Sequence, residues 1–298
     1  MMEIKRLILM IIIAMVAFGL FMGYALKKIQ TVERAYTYLD EPLTDEVLLD
    51  VTKRLNRYKD ETLVGEEPIS GIKVVLINHL SETAVLWHGE VKAVVDYGSL
   101  GDAERHCNYY RVYSEDEPTL ILNCDDILGD PFERAVSLAY QQRYTDISRL
   151  NPESISYFQG FNEDVRERFL RHSMISSLMD ALDDDNSLEA FVHYYREWVE
   201  AVGENHLAIT EYDYYDGLQG FIKLKLRQID DPSYSPKDYI MTMQNDQGLI
   251  SKSREYEAIG LLWWVLAERK GLSILSLDDV RTDKYKLLID GVAYTPID

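Results

Sequence analysis

Hydrophobic positions along the chain change period near residue 129, and that change divides the expected elements into two sets. Residues 45–58, DEVLLDVTKRLNRY, place Val47, Leu48, Val51, Leu55 and Tyr58 on one stripe, the 3.6-residue period of an amphipathic helix, with Thr44 as the expected cap. The stretch before it, TVERAYTYL, also reads as helical and should end ahead of Pro42. Proline and glycine between 66 and 71 mark a connection. Three β-branched runs follow, IKVVLINH, AVLWH and VKAVVDY, and each reads as a strand. The segment HCNYYRVYSEDEPTLILNC predicts two further strands around a turn at 114–118. After Gly129 the period becomes helical, over 130–147, 162–182, 186–202 and 255–270, with a tyrosine-rich segment, EYDYYDGLQGFIKLKL, between the last two. Strands followed by helices predict an α+β fold with a small, mainly antiparallel sheet and a mostly helical C-terminal half.

Residues 7–26 carry no charge and are long enough to cross a bilayer as a helix. With Lys5 and Arg6 before them they predict a single-pass signal-anchor, or alternatively a cleaved signal peptide. The chain is accordingly expected to divide into a membrane anchor (1–28), a helical stalk or packing helices (29–65) and an α+β domain (66–298). The basic residues that flank the apolar run nearly balance, but a short tail ahead of such a helix favours a C-terminal domain outside the cytoplasm.

A formal charge of −20 argues against nucleic acid as a partner, because nucleic acid demands a basic footprint. The two cysteines, Cys107 and Cys124, are equidistant from a turn centred on residues 115 and 116, so an antiparallel hairpin would set them opposite each other. Two readings stand: a disulfide in an oxidising compartment, or two buried free thiols.

Motifs that carry chemistry are largely missing. The sequence has no G-x-S-x-G, no phosphate-cradling glycine loop and no H-E-x-x-H. Ser70 and Lys73 match S-x-x-K, but Lys73 opens a strand rather than standing one helical turn on. Residues from Asp183 begin like a calcium loop and lack its glycine and its last acid. Glu189, His193 and Glu197 share one face of a helix whose opposite face is apolar, which points to a solvated face.

One segment resembles a known family. PTLILNCDDILGDPFERAVSLAYQQRYTDISRL reads as a strand, a loop and a helix, and is similar to the active-site helix of bacterial gluzincin-type zinc metallopeptidases, in which H-E-x-x-H precedes a segment like A-L-Q-D-Q-x-F-D-L. In that register Arg134 and Leu138 stand at the two zinc-binding histidines and Ala135 at the general base, while Ala139, Gln141, Asp146 and Ile147 keep the flanking pattern. RFLRHSMISSLM resembles the helix of the third ligand and places His172 at that position. Residues 215–221 and 277–288 resemble later segments of the family, so the likeness runs from about Ile72 to Leu288.

The resemblance implies a metallopeptidase-like fold without its metal. Zinc hydrolysis needs about three protein ligands and a base for the bound water. Arginine cannot ligate, leucine has no donor and alanine cannot take a proton. No metal or other cofactor is expected. The reading that follows is a membrane-anchored, extracytoplasmic, non-catalytic domain that binds a protein or peptide partner. The alternatives are a hydrolase built on scattered acids such as Asp125, Asp126, Asp213 and Asp216, and a structural envelope protein.

Overall fold

The computed structural model describes residues 36–37, 43–65, 67–101, 104–105, 108–112, 119–125, 129–144, 165–184, 187–245, 248–272 and 284–289. Six strands form one sheet: β1 (Tyr36–Thr37), β2 (Val74–Asn78), β3 (Thr83–Trp87), β4 (Val91–Val95), β5 (Tyr109–Val112) and β6 (Thr119–Asn123), in the order β1-β4-β3-β2-β6-β5. All neighbours pair antiparallel except β2 and β6, which run parallel with Val74 opposite Leu120 and Ile77 opposite Asn123. The sheet is therefore mixed but mainly antiparallel, as expected, with β2–β6 as its one parallel pairing among the described strands. The parallel pairing arises because β6, besides pairing with β5, lies along the open edge of β2.

The central strands are buried on both faces, which explains their unbroken apolar runs. Val74, Leu76, Val85, Trp87, Leu120 and Leu122 face the main core; Val75, Ile77, Ala84, Leu86 and Ile121 face a second cluster closed by Leu100 and Tyr97.

Helix α1 (Glu46–Tyr58) lies against β2, with Leu48, Val51, Leu55 and Tyr58 buried in the main core. Each such side chain contributes about 1.5–3 kcal/mol on burial. Asp45, not Thr44, caps it, accepting from the Leu48 N–H at 2.9 Å. The segment expected to be helical before Pro42 contains β1, paired with Val94 and Val95 of β4. A pairing edge outweighs helix propensity there.

After β6 come α2 (Pro131–Tyr144), α3 (Val165–Ala181), α4 (Leu188–Val202), α5 (His206–Asp230), α6 (Pro236–Met241), α7 (Lys252–Arg269) and α8 (Lys284–Ile289). The molecule is α+β and mostly helical. The tyrosine-rich segment lies inside the 25-residue α5, the longest described helix. Among the described residues no helix is long and apolar enough to cross a membrane, since even α5 carries charges along its length. The expected single-pass transmembrane helix, and the extracytoplasmic placement that rested on it, are therefore not supported by the described helices. Residues 7–26, where the anchor was expected, lie outside the described residues.

Two glycines set how α5 meets α7. A Cβ on Gly260 would fall 1.6 Å from the Asp213 carbonyl oxygen, and one on Gly217 would fall 2.2 Å from the Gly260 carbonyl carbon. Only residues without side chains allow backbones to come this close.

Candidate functional site

Helix α2 carries three of the positions singled out by the resemblance. Asp130 starts it, accepting from the Phe132 N–H at 3.0 Å and pairing with Arg54 at 2.7 Å. Arg54 also covers the Phe132 ring at 4.3 Å. Ala135 is fully buried and Leu138 is 3% exposed, both inside the main core. Arg134 sits on the first turn, beside Gly129, whose φ of 117° only glycine adopts readily. Farther along, the Gln141 amide donates to the Tyr215 carbonyl at 2.8 Å and accepts from Gln219 at 2.9 Å, tying α2 to α5. Tyr140 donates to the Glu67 carbonyl at 2.9 Å. The helix is apolar and buried around most of its girth, and its polar groups serve as ties.

His172 occupies different surroundings. Helix α3 packs on α4 and α7, whereas α2 packs on β6 and α5. The His172 Nε2 atom lies 3.1 Å from a carboxylate oxygen of the buried Glu255, and Arg168 reaches the same oxygen at 3.6 Å. Burial, then the charges of Arg168 and Arg171, hold the imidazole below its ordinary pKa. Among the described residues no group of three or more His, Cys, Asp or Glu side chains is disposed to hold a metal ion.

Immediately before His172 on α3, Arg171 makes a two-point ion pair with Asp213 at 2.6 and 2.7 Å, and Tyr285 of α8 donates to the same carboxylate at 2.6 Å. The pair is 3% and 1% exposed, and the guanidinium lies over the rings of Tyr256 and Trp198 at 5.0 and 5.5 Å. Burial pushes the Asp213 carboxyl up against the pull of Arg171 and Tyr285. Burial also works against the charge on Arg171, and Asp213 overcomes it. The bidentate geometry is that of an ion pair. Both oxygens of Asp213 are occupied by protein donors, which removes it from the scattered acids available to a substrate. Asp125 is half-buried after β6, Asp216 is half-buried on α5, and Asp126 lies outside the described residues.

Of the two cysteines, Cys124 is a buried free thiol, pushed up to about 12 chiefly by burial. Cys107 lies outside the described residues. His193 is more enclosed than a solvated face implies, at 16% exposure, with Glu197 3.4 Å away.

A groove of about 510 Å³ opens between the turn after α1 and the packed pair α5 and α7. Leu63, Phe221 and Trp264 form its buried floor; Val64, Gly65, Gly271 and Leu272 form its walls. Lys225 and Glu268, 2.7 Å apart, sit among the lining residues. Gly65 and Gly271 both have positive φ, 70° and 65°, so the walls are made of tight turns. Sequence reasoning missed this groove because three distant segments build it, and no local pattern marks such a convergence. Its volume falls in the usual range for ligand sites.

No family model matches the chain, and neither a curated protein nor a solved structure matches it.

Proposed function

We propose that this chain is a non-catalytic recognition domain that binds a protein or peptide partner, with the groove between the 62–65 turn, α5 and α7 as the docking surface. The observation that carries the reading is the state of α2. Ala135 and Leu138, at positions that in the resembled peptidases bear a base and a ligand, are packed in the core. A water or substrate has no approach to them, and neither side chain has a donor or acceptor to offer. His172 is held against Glu255 on another helix pair.

The groove supports the binding half of the reading. Half-exposed Val64 and Leu272 offer apolar contact, and Lys225 with Glu268 offers polar contact at the edge. This mixture of an apolar centre and a polar border is the usual anatomy of a protein interface.

Selection of displayed random peptides on the purified chain tests it. Recovered peptides should lose about tenfold or more in affinity with Val64→Glu or Leu272→Glu, about 1.4 kcal/mol or more, and keep affinity with Val47→Glu on α1. Peptides indifferent to both groove substitutions would remove the groove from the account. Turnover of the peptides by the purified chain would remove the non-catalytic reading.

A further inference from the structure

Helix α7 ends at the wall of the groove. The Gly271 N–H donates to the Glu268 carbonyl at 3.0 Å and the Leu272 N–H to the Ala267 carbonyl at 3.0 Å, with Gly271 at a φ of 65°. This glycine turn closes the C-terminus of α7, and both Gly271 and Leu272 line the groove. The carbonyl end of a helix is the negative end of its dipole and favours a cation near its last turn. Glu268 stands in that turn with its side chain 48% exposed, so a full negative charge and a partial one meet at one wall. Among the described residues the lining holds one cation, Lys225. Arg269 is engaged elsewhere, donating to the Leu182 carbonyl at 2.6 Å. Lys225 shows how the groove receives a cation: its Nζ atom lies 5.0 Å from the centre of the Phe221 ring and donates to both oxygens of Glu268, at 2.9 and 2.7 Å. A carboxylate offers about four lone-pair sites, so one ammonium does not saturate Glu268. The formal charge of −20 on the whole chain draws basic partners and repels acidic ones, a second copy of the chain included.

We propose, resting on the groove as the docking surface, that it receives an arginine or lysine side chain from a basic peptide segment of the partner. The aliphatic stem lies against Val64 and Leu272, and the charge meets Glu268 beside Lys225. Such a stem is apolar along most of its length, which suits these two half-buried side chains. The same stem-on-apolar, charge-on-carboxylate arrangement is the one Lys225 already adopts with Phe221 and Glu268. Lys225 then stands as a like charge that limits the affinity, and Glu268 as the group that confers it.

The probes are peptides selected from a random displayed library on the full chain and then synthesised singly. Their affinity is measured on the wild-type chain and on Val64→Ser and Leu272→Ser, which remove apolar contact and leave the charge alone. Loss on either variant marks a peptide as groove-bound and separates it from basic peptides held loosely by the acidic surface. Groove-bound peptides should carry arginine or lysine, and replacing that residue with citrulline or norleucine should weaken binding about tenfold. Glu268→Gln should weaken the basic peptide by a similar factor and leave its neutral analogue unchanged. Lys225→Gln should tighten the basic peptide, although it breaks the same ion pair, so the two substitutions act with opposite sign where a purely structural role would give one sign. Groove-bound peptides that lack a basic residue, or that ignore Glu268→Gln, would overturn the cation site and leave the docking groove standing. Peptides indifferent to both Val64→Ser and Leu272→Ser would remove the groove and the cation site together.

Discussion

The sheet half and the helical half bury polarity in different ways. Around the sheet and α2, the buried polar side chains are neutral amides and hydroxyls, among them Asn78, Thr119, Asn123, Ser137, Gln141 and Gln142. Several tie elements together directly: Asn78 donates to Asp45 at 2.9 Å, and Gln141 joins α2 to α5. Among the described residues the buried charges belong instead to the helical half: Arg171 on α3, Asp213 on α5 and Glu255 on α7. A neutral tie that is lost leaves an amide or hydroxyl to find another partner, at about 1–3 kcal/mol. A buried charge that loses its partner has no such recourse. The helical half is thus the more brittle, although the resemblance draws attention to α2.

Substitutions can break that contrast, and the crossing of α5 and α7 should respond most. Gly260→Ala sets a methyl 1.6 Å from the Asp213 carbonyl oxygen, a contact with backbone that no rotamer relieves. The helices must separate, and the ion pair with them. Urea unfolding should show a loss of about 4 kcal/mol or more, or no cooperative transition at all. A loss below about 1 kcal/mol would mean that the helices do not cross this closely.

Next comes Asp213→Ala, which strands the buried Arg171 and removes the acceptor of Tyr285. It should cost about 3 kcal/mol in the same measurement. Arg54→Ala opens a pair of which each member is about one-third exposed, and should cost under about 1 kcal/mol. Equal losses from the two would erase the distinction between the halves.

The fold was legible where one local period dominates. The two-sided burial of β2 and β3 leaves unbroken apolar runs, and α1 shows its stripe plainly. Helix α5 was obscured by Gly217 and Gly220, residues that usually break helices. Here they serve the close approach to α7, a tertiary demand that helix propensity does not encode. The parallel pairing of β2 with β6 joins residues more than forty positions apart, and no neighbouring pattern specifies it. The same holds for Arg171 with Asp213, 42 residues apart in sequence. Arg171 adjoins His172, the position the resemblance selected, yet Arg171 is the side chain that is buried and paired.

The smallest expected effect is one of pH. His172 is held below its ordinary value by burial and by two arginines, so the unfolded chain takes up the proton first as pH falls. The stability tied to this group is complete above about pH 6.5 and is lost as pH drops through the lower folded value. His172→Phe should flatten that acid slope in urea midpoints measured at neutral pH and in mild acid. An unchanged slope would take His172 out of the acid response.

The central claim is that α2 is a packing helix and not a metal-bearing one. It is tested most directly by equilibrating the purified chain with zinc, removing loosely held ions and counting zinc per chain by elemental analysis. The account predicts far less than one zinc per chain, unchanged by His172→Ala. One tightly held zinc per chain, lost with that substitution, would contradict it.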